Sequence, residues 1–145
     1  MATKMIIIDY GTCNVHSVYK RMQHTAIDVI VSSDPVSLLK ADKIILPGIG
    51  HFDHAMKNLQ ALNLVDALNE AVLIKKKPVL GICLGMQLIA ETGTEGGTTR
   101  GLGWISGTVD ALTITDQSRF KIPHMGWNIL QLHTGVYVYF SALQA

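Results

Sequence analysis

The chain has 145 residues, 48% of them hydrophobic and 16% charged, with a formal net charge of +1. This length suffices for a single domain over residues 1–145, and the apolar balance favours a heavily buried sheet. A charge this small gives no electrostatic reason to expect nucleic acid or an anionic membrane as a partner. No apolar run is long enough for a transmembrane helix and the first residues lack a signal-peptide pattern, so we expect a cytoplasmic protein with two free thiols, Cys13 and Cys83.

The first half of the chain alternates short apolar runs with segments of helical spacing. Strands are predicted at residues 5–9, 27–31, 43–46 and 78–82, and helices after Asn14 and at residues 53–75 and 84–91. Asn14 is a candidate helix cap, Asn63 separates two helices, and Ser33-Asp34-Pro35 indicates a turn. The first strand is rich in isoleucine and does not alternate, which is typical of a strand buried on both faces of a parallel sheet. The pattern predicts an open, mostly parallel α/β sheet flanked by helices.

The pattern changes after Gly93. Residues 93–103 contain five glycines and three threonines, which predicts a flexible loop. Residues 104–115 and 127–140 have strand-like content, and no closing helix follows them. We therefore expect the second half to be an antiparallel addition to the sheet.

The strongest chemical motif is Gly-Ile-Cys-Leu-Gly at residues 81–85, between a predicted strand and a predicted helix. This is the layout of a nucleophile elbow, in which the thiol of Cys83 stands at the carboxyl end of a strand. The helix N-terminus there would favour negative charge, and the Leu84 N–H would be free to stabilise an oxyanion. The alternative is a buried structural cysteine in a glycine-rich turn.

A second glycine-rich motif, Pro-Gly-Ile-Gly at residues 47–50, follows the third predicted strand. It should lie at the same edge of the sheet as Cys83. Backbone N–H groups from such a segment can approach a developing negative charge. An ordinary strand-to-helix turn is the competing interpretation.

Five motifs occur in a characteristic order along the chain. They are Asp9-Tyr10-Gly11 with Asn14 and Ser17, Pro-Gly-Ile-Gly-His-Phe at residues 47–52, Gly-Ile-Cys-Leu-Gly-Met-Gln at residues 81–87, Gly-Leu-Gly at residues 101–103 and Pro-His-Met-Gly-Trp-Asn at residues 123–128. Over residues 5–140 the chain resembles the glutaminase subunits of imidazole glycerol phosphate synthase, which are class I glutamine amidotransferases. The cysteine motif is shared by many such amidotransferases, whereas the last motif is far more specific.

The resemblance implies a flavodoxin-like class I amidotransferase fold and hydrolysis of glutamine through a covalent thioester. Carried over by motif position, Cys83 would be the nucleophile. The backbone at Gly48, Gly50 and Leu84 would build the oxyanion site, and Gln87 would help to hold the glutamine. The resemblance implies no cofactor and no metal.

The resemblance also implies a partner, a (β/α)₈ cyclase that forms a heterodimer with the glutaminase and takes up its ammonia. That cyclase makes imidazole glycerol phosphate and an aminoimidazole carboxamide ribotide in histidine biosynthesis. Met125 and Trp127 would lie at or near its interface, with Asn14 close by. An amidotransferase subunit of surface-polysaccharide synthesis is an alternative, because the partner chooses the acceptor.

The chain departs from the family in its catalytic base. The family uses a late His-Pro-Glu element, but no His-x-Glu triplet occurs in this sequence, whose six histidines stand at positions 16, 24, 51, 54, 124 and 133. The family's His-Ser-Tyr element is also missing after Tyr139-Phe140. We therefore expect a C-terminally truncated or divergent form, and an inactive module that only binds the cyclase is a second alternative. His51 and His54 are the candidate substitutes for the base.

Overall fold

The computed structural model describes residues 3–25, 27–114 and 122. Its elements follow in the order β1 (Lys4–Ile8), α1 (Val15–Met22), β2 (Asp28–Ser32), α2 (Pro35–Lys40), β3 (Lys43–Gly48), α3 (Phe52–Ala61), α4 (Leu64–Asn69), β4 (Val79–Cys83), α5 (Leu84–Gln87), β5 (Ala90–Gly93), β6 (Thr99–Arg100) and β7 (Ile105–Val109). A single π-helical turn, Glu70–Ile74, continues α4. All these elements lie in one compact unit, Met1–Asp110.

Four parallel strands form the main sheet, in the order β2-β1-β3-β4. This order is the flavodoxin-like doubly wound arrangement, in which ligands bind beyond the carboxyl ends of the strands. The predicted α/β fold class is confirmed. Ile6, Ile7 and Ile8 are each 0% exposed, so the central strand is buried on both faces as predicted.

The hydrophobic core packs helices against one face of this sheet. Ile6, Ile8 and Leu46 from the strands meet Leu59 and Leu68 from the helices. Asn63, in a left-handed conformation with φ of 54°, separates α3 from α4 as predicted. This core fixes β3 and β4 side by side, and the glycine-rich motif and the cysteine motif stand at their carboxyl ends.

The start of the chain's second helix was missed by the sequence interpretation, which saw only a turn at residues 33–35. Asp34 instead caps α2, accepting hydrogen bonds from Val36 N at 3.2 Å and Ser37 N at 2.9 Å, and Pro35 occupies the first helical position. Asn14 does precede α1, but its side chain makes no capping hydrogen bond. Helix α1 therefore begins where predicted without the predicted cap.

The helix predicted at residues 84–91 is wrong beyond Gln87. The carbonyl oxygens that would continue it are taken by a later segment: Leu102 N donates to Leu88 O at 2.8 Å and Trp104 N to Ile89 O at 2.9 Å. Residues 90–93 form β5 instead, and Gly101 packs against this strand where a side chain would overlap Ala90 O. Part of the predicted flexible loop is thus hydrogen-bonded structure.

A second sheet has the order β6-β5-β7. β6 is antiparallel to β5 but lies within the predicted loop. The strand predicted at residues 104–115 contains β7, which runs parallel to β5 in this separate sheet, so the expected antiparallel addition to the main sheet is wrong for these residues. Strand β3 also extends to Gly48 rather than ending at Leu46, because Pro47 lacks only a donor and can still pair with Ile82. Within the described part of the chain, no helix has both the length and the apolar character needed to cross a membrane.

Candidate active site

Cys83 stands in a sharp turn between β4 and α5. Its backbone has φ of 55° and ψ of −120°, a conformation that non-glycine residues rarely adopt. Such strain persists where the surrounding structure fixes the backbone, and it is the geometry of a nucleophile elbow. The thiol is half-buried and free.

Two glycines allow this turn to pack closely on its surroundings. A Cβ on Gly81 would lie 2.6 Å from the Cα of Met86, and a Cβ on Gly85 would overlap the carbonyl oxygen of Leu46. The first turn of α5 therefore lies directly on the backbone of β3. This explains in steric terms why glycine occurs on both sides of the cysteine.

Gly48 is the register partner of Cys83 across β3 and β4. It is buried, and the ideal position of its missing Cβ lies 3.1 Å from Gly85 N and 3.1 Å from the Cβ of Leu84. The next residue, Ile49, donates its N–H to Thr12 O at 2.8 Å. The glycine-rich segment is thus held between the elbow and the loop that follows β1.

Tyr10 lies in the loop that follows β1 and connects this loop to the glycine-rich segment. Its hydroxyl donates to Pro47 O at 2.7 Å and would overlap a Cβ on Gly48, while the ring is only 2% exposed. Burial raises the pKa of Tyr10 to about 12, and the neighbouring Thr12 hydroxyl partly opposes this rise. The Thr12 hydroxyl is buried beside Tyr10 and makes no hydrogen bond to any described residue. Asn58 Nδ2 donates to Tyr10 O at 3.0 Å, which ties the loop to α3.

Directly after the glycine-rich segment, His51 contacts a carboxylate that the sequence interpretation missed. His51 Nδ1 lies 3.1 Å from Glu95 Oε1, and the other carboxylate oxygen of Glu95 accepts from Phe52 N at 3.1 Å. Glu95 therefore binds the N-terminus of α3 from the turn between β5 and β6. No local pattern marks Glu95, because its partners lie more than 40 residues away in sequence.

The remaining predicted residues fall into three groups. Leu84 is buried at the first position of α5, where its N–H has no intrahelical acceptor, and Gln87 is half-buried four residues after Cys83. Gly50 is exposed with φ of 97°, and Asn14 is exposed in the loop after β1. The two interface candidates at positions 125 and 127 lie outside the described residues.

None of the predicted site residues that the structure describes lines the cavity of about 230 Å³ between α3, α4 and residues 100–102. Gln60, Asn69 and Arg100 supply its polar groups. Across residues 3–25, 27–114 and 122, no three His, Cys, Asp or Glu side chains come together in a way that could hold a metal ion. The candidate chemistry is therefore assigned to the Cys83 edge of the sheet.

Residues 6–144 match the family described as glutamine amidotransferase class-I. Three curated relatives carry related names. The "Imidazole glycerol phosphate synthase subunit HisH 1" of Campylobacter jejuni (strain RM1221) is 47% identical over 133 residues, covering 92% of this chain and 65% of the relative. The HisH subunit of Rhodospirillum rubrum is 40% identical over 148 aligned positions, covering 97% and 69%. The HisH 2 subunit of Methanococcus maripaludis is 45% identical over 125 residues, covering 86% and 60%.

The chain thus spans roughly two thirds of the length of these relatives, 65% in the first case. The match to the amidotransferase family nonetheless extends over nearly the whole chain. The resemblance inferred from the five motifs is confirmed by these similarities. The chain belongs to the class I glutamine amidotransferase family, and within it to the family of the HisH subunits of imidazole glycerol phosphate synthase.

Proposed function

We propose that the chain is the glutaminase part of an imidazole glycerol phosphate synthase, acting in histidine biosynthesis. The observation that carries this proposal is the strained backbone of Cys83, with φ of 55°, opposite Gly48 at the carboxyl edge of a parallel sheet. The relatives' names supply the pathway. The geometry supports the proposed chemistry, a thiol nucleophile beside backbone N–H donors.

In this mechanism the Cys83 thiolate attacks the side-chain amide carbon of glutamine. The Sγ–C bond forms, and the carbonyl oxygen becomes an oxyanion that the Leu84 N–H and the Gly48–Gly50 backbone stabilise. The C–N bond then breaks, and the amide nitrogen takes up the proton that the Cys83 thiol released and leaves as ammonia, which yields a glutamyl thioester. Water hydrolyses the thioester to glutamate and restores the thiol. Gln87, the last residue of α5, follows Cys83 by four positions, and its amide group is suited to hold the substrate.

Not every N–H of the glycine-rich segment is free in this arrangement. The Ile49 N–H already donates to Thr12 O at 2.8 Å. The Leu84 N–H, at the start of α5, has no such intrahelical acceptor. We therefore assign the first oxyanion donor to Leu84.

The proposed reaction also needs a general base. A thiol nucleophile without its base typically loses several orders of magnitude in rate. Among the described histidines, His51 is the one paired with a carboxylate, Glu95, which is how a general base is commonly oriented. His54 is exposed on α3 and has no such partner among the described residues. This pairing favours His51 over His54 as a substitute base.

The ammonia acceptor is proposed to be a (β/α)₈ cyclase that forms a heterodimer with the chain and makes imidazole glycerol phosphate and the aminoimidazole carboxamide ribotide. Asn14 lies two residues beyond Thr12, in the loop that contacts the glycine-rich segment. A partner that touches this loop would therefore lie close to Cys83. Met125 and Trp127 complete the proposed interface.

Release of ammonia and of glutamate by the purified chain tests the proposal. With glutamine we expect about one equivalent of Cys83-dependent ammonia, because acylation needs the nucleophile but repeated turnover also needs a base. Absence of any ammonia beyond a Cys83→Ala control would refute the glutaminase assignment. Steady glutamate release, alone or with the cyclase and its ligand, would instead reveal an internal base. Loss of that release in His51→Asn but not in His54→Asn would identify it.

A further inference from the structure

The Tyr10 hydroxyl is a phenol group built into the candidate active site. It donates to Pro47 O at 2.7 Å from a ring that is 2% exposed. A buried hydrogen bond of this kind replaces hydration that the two groups have lost, so breaking it leaves the Pro47 carbonyl unsatisfied. The bond therefore restrains the peptide between Pro47 and Gly48.

This peptide immediately precedes the proposed oxyanion segment. A peptide unit is planar, so fixing its carbonyl also fixes the direction of the Gly48 N–H and the path of the chain into Ile49. The face of Gly48 where its Cβ would stand packs against the Tyr10 hydroxyl and also against Leu84 and Gly85 of the elbow. The position of Gly48 is thus set jointly by Tyr10 and by the Cys83 turn.

The loop that carries Tyr10 is itself anchored at two points. Asn58 Nδ2 donates to Tyr10 O at 3.0 Å, and Thr12 O accepts the Ile49 N–H at 2.8 Å. Without the Tyr10 hydroxyl, the segment would keep the bond from Ile49 to Thr12 and its ladder pairing with β4, but it would lose the hydrogen bond that holds the Pro47 carbonyl. A small rotation of the Pro47–Gly48 peptide would then become possible without unfolding the sheet.

We propose that Tyr10 is a positioning residue for the glutaminase reaction: through Pro47 it holds the backbone opposite Cys83 in the geometry that stabilises the oxyanion. This inference rests on the proposed function, because it concerns addition to a carbonyl group at Cys83. It assigns no contact between Tyr10 and substrate. Removal of its hydroxyl should slow the carbonyl-addition step and leave the intrinsic reactivity of the thiol unchanged.

Two probes separate these effects. With γ-glutamyl para-nitroanilide, the Sγ–C bond forms, the C–N bond breaks, and nitroaniline leaves with a proton, through an oxyanion. With iodoacetamide, the thiolate displaces iodide directly and no oxyanion forms. The variant is Tyr10→Phe, and Tyr19→Phe on α1 is the matched control for loss of a phenol hydroxyl. The full chain is used throughout, and thermal unfolding checks that each variant is folded.

We expect Tyr10→Phe to release nitroaniline about fivefold or more slowly than the parent chain, as the loss of one hydrogen bond in the transition state implies. Its alkylation of Cys83 by iodoacetamide should be unchanged, and Tyr19→Phe should behave as the parent in both reactions. Equal slowing of both reactions, or of neither, would overturn the positioning role. If the parent chain itself releases no more nitroaniline than Cys83→Ser, the proposed function fails and this inference fails with it.

If Tyr10→Phe lowers stability, a second variant, Gly48→Ala, tests the contact between the Tyr10 hydroxyl and Gly48. A Cβ on Gly48 would overlap the Tyr10 hydroxyl, so Gly48→Ala should lower the midpoint of thermal unfolding less in the Tyr10→Phe background than in the parent. Additive shifts would mean that the hydroxyl does not press on Gly48. That result would remove the steric half of the argument and overturn the inference.

Discussion

Gly48 and Cys83 stand opposite each other as register partners at the ends of β3 and β4. The cysteine is held at φ of 55°, and the missing side chain of the glycine leaves room for the first turn of α5. This pair joins the two glycine-rich motifs of the sequence in one site. The following predictions test how that site is built and what it does.

Gly85→Ala should destabilise the chain far more than an alanine at an open turn glycine. A Cβ on Gly85 would overlap Leu46 O, which is backbone and can move only with β3, so we expect a loss of about 3 kcal/mol. Gly96→Ala is the matched control: its Cβ would meet nothing within 4 Å, and its φ of 76° implies a cost of about 1 kcal/mol. Denaturant unfolding measures both values. Equal losses would show that α5 does not lie against β3.

The two cysteines should differ in reactivity. Burial, and secondarily the charge of Asp9, raises the pKa of the Cys13 thiol, so less thiolate is present at neutral pH. We expect iodoacetamide to label Cys83 before Cys13, with Cys13 labelling rising only as the pH approaches its raised pKa. Asp9→Asn should accelerate the labelling of Cys13 alone. Peptide mapping of the labelled chain reads both sites, and faster labelling of Cys13 at neutral pH would contradict the elbow assignment.

The Tyr10 phenol should make stability depend on pH in the alkaline range. Its pKa is about 12 in the folded chain and about 10 when unfolded, so between these values the folded state binds more protons. The free energy of unfolding should therefore be unaffected by this group below about pH 10 and should fall as the pH rises to about 12, by about 3 kcal/mol at most. Chemical unfolding of the parent and of Tyr10→Phe at several pH values gives the difference. The same pH dependence in both chains would contradict the burial of the phenol.

Much of this architecture could be predicted from local sequence. Ile6 to Ile8 specify a strand buried on both faces, and the glycines around Cys83 specify a tight turn, because these signals act within a few residues. Helix α2 was missed because Asp34-Pro35 serves equally as a turn and as a helix start. Strand β5 was missed because it is paired by residues further along the chain: Gly101 N donates to Glu91 O and Gly103 N to Ala90 O.

The contacts that complete the site could not be predicted from the sequence either. The Tyr10 hydroxyl meets Pro47, which is 37 residues away, and Glu95 meets Phe52 at a separation of 43 residues. No spacing rule connects such pairs. The first contact follows from the order of the strands, which brings the loops after β1 and β3 to one edge of the main sheet. The second depends on the turn between β5 and β6, where Glu95 lies.

The proposed cyclase interface gives a prediction about binding. Trp127 is large and amphipathic, and tryptophan is frequent among residues that dominate interface energetics. We expect Trp127→Ala to weaken binding to the cyclase by roughly 1–3 kcal/mol in a titration. Trp104→Phe is a control, because the Trp104 indole donates to Asn69 within the domain at 2.7 Å. Unchanged affinity in a folded Trp127→Ala chain would remove Trp127 from the interface.

The role of Cys83 as the nucleophile can be tested by the intact mass of the chain after brief incubation with glutamine and acid quenching. We expect a glutamyl adduct that peptide mapping assigns to Cys83, that hydroxylamine removes as expected for a thioester, and that is absent from Cys83→Ser. A glutamyl adduct on another residue, or release of ammonia that persists in Cys83→Ser, would show that Cys83 is not the nucleophile.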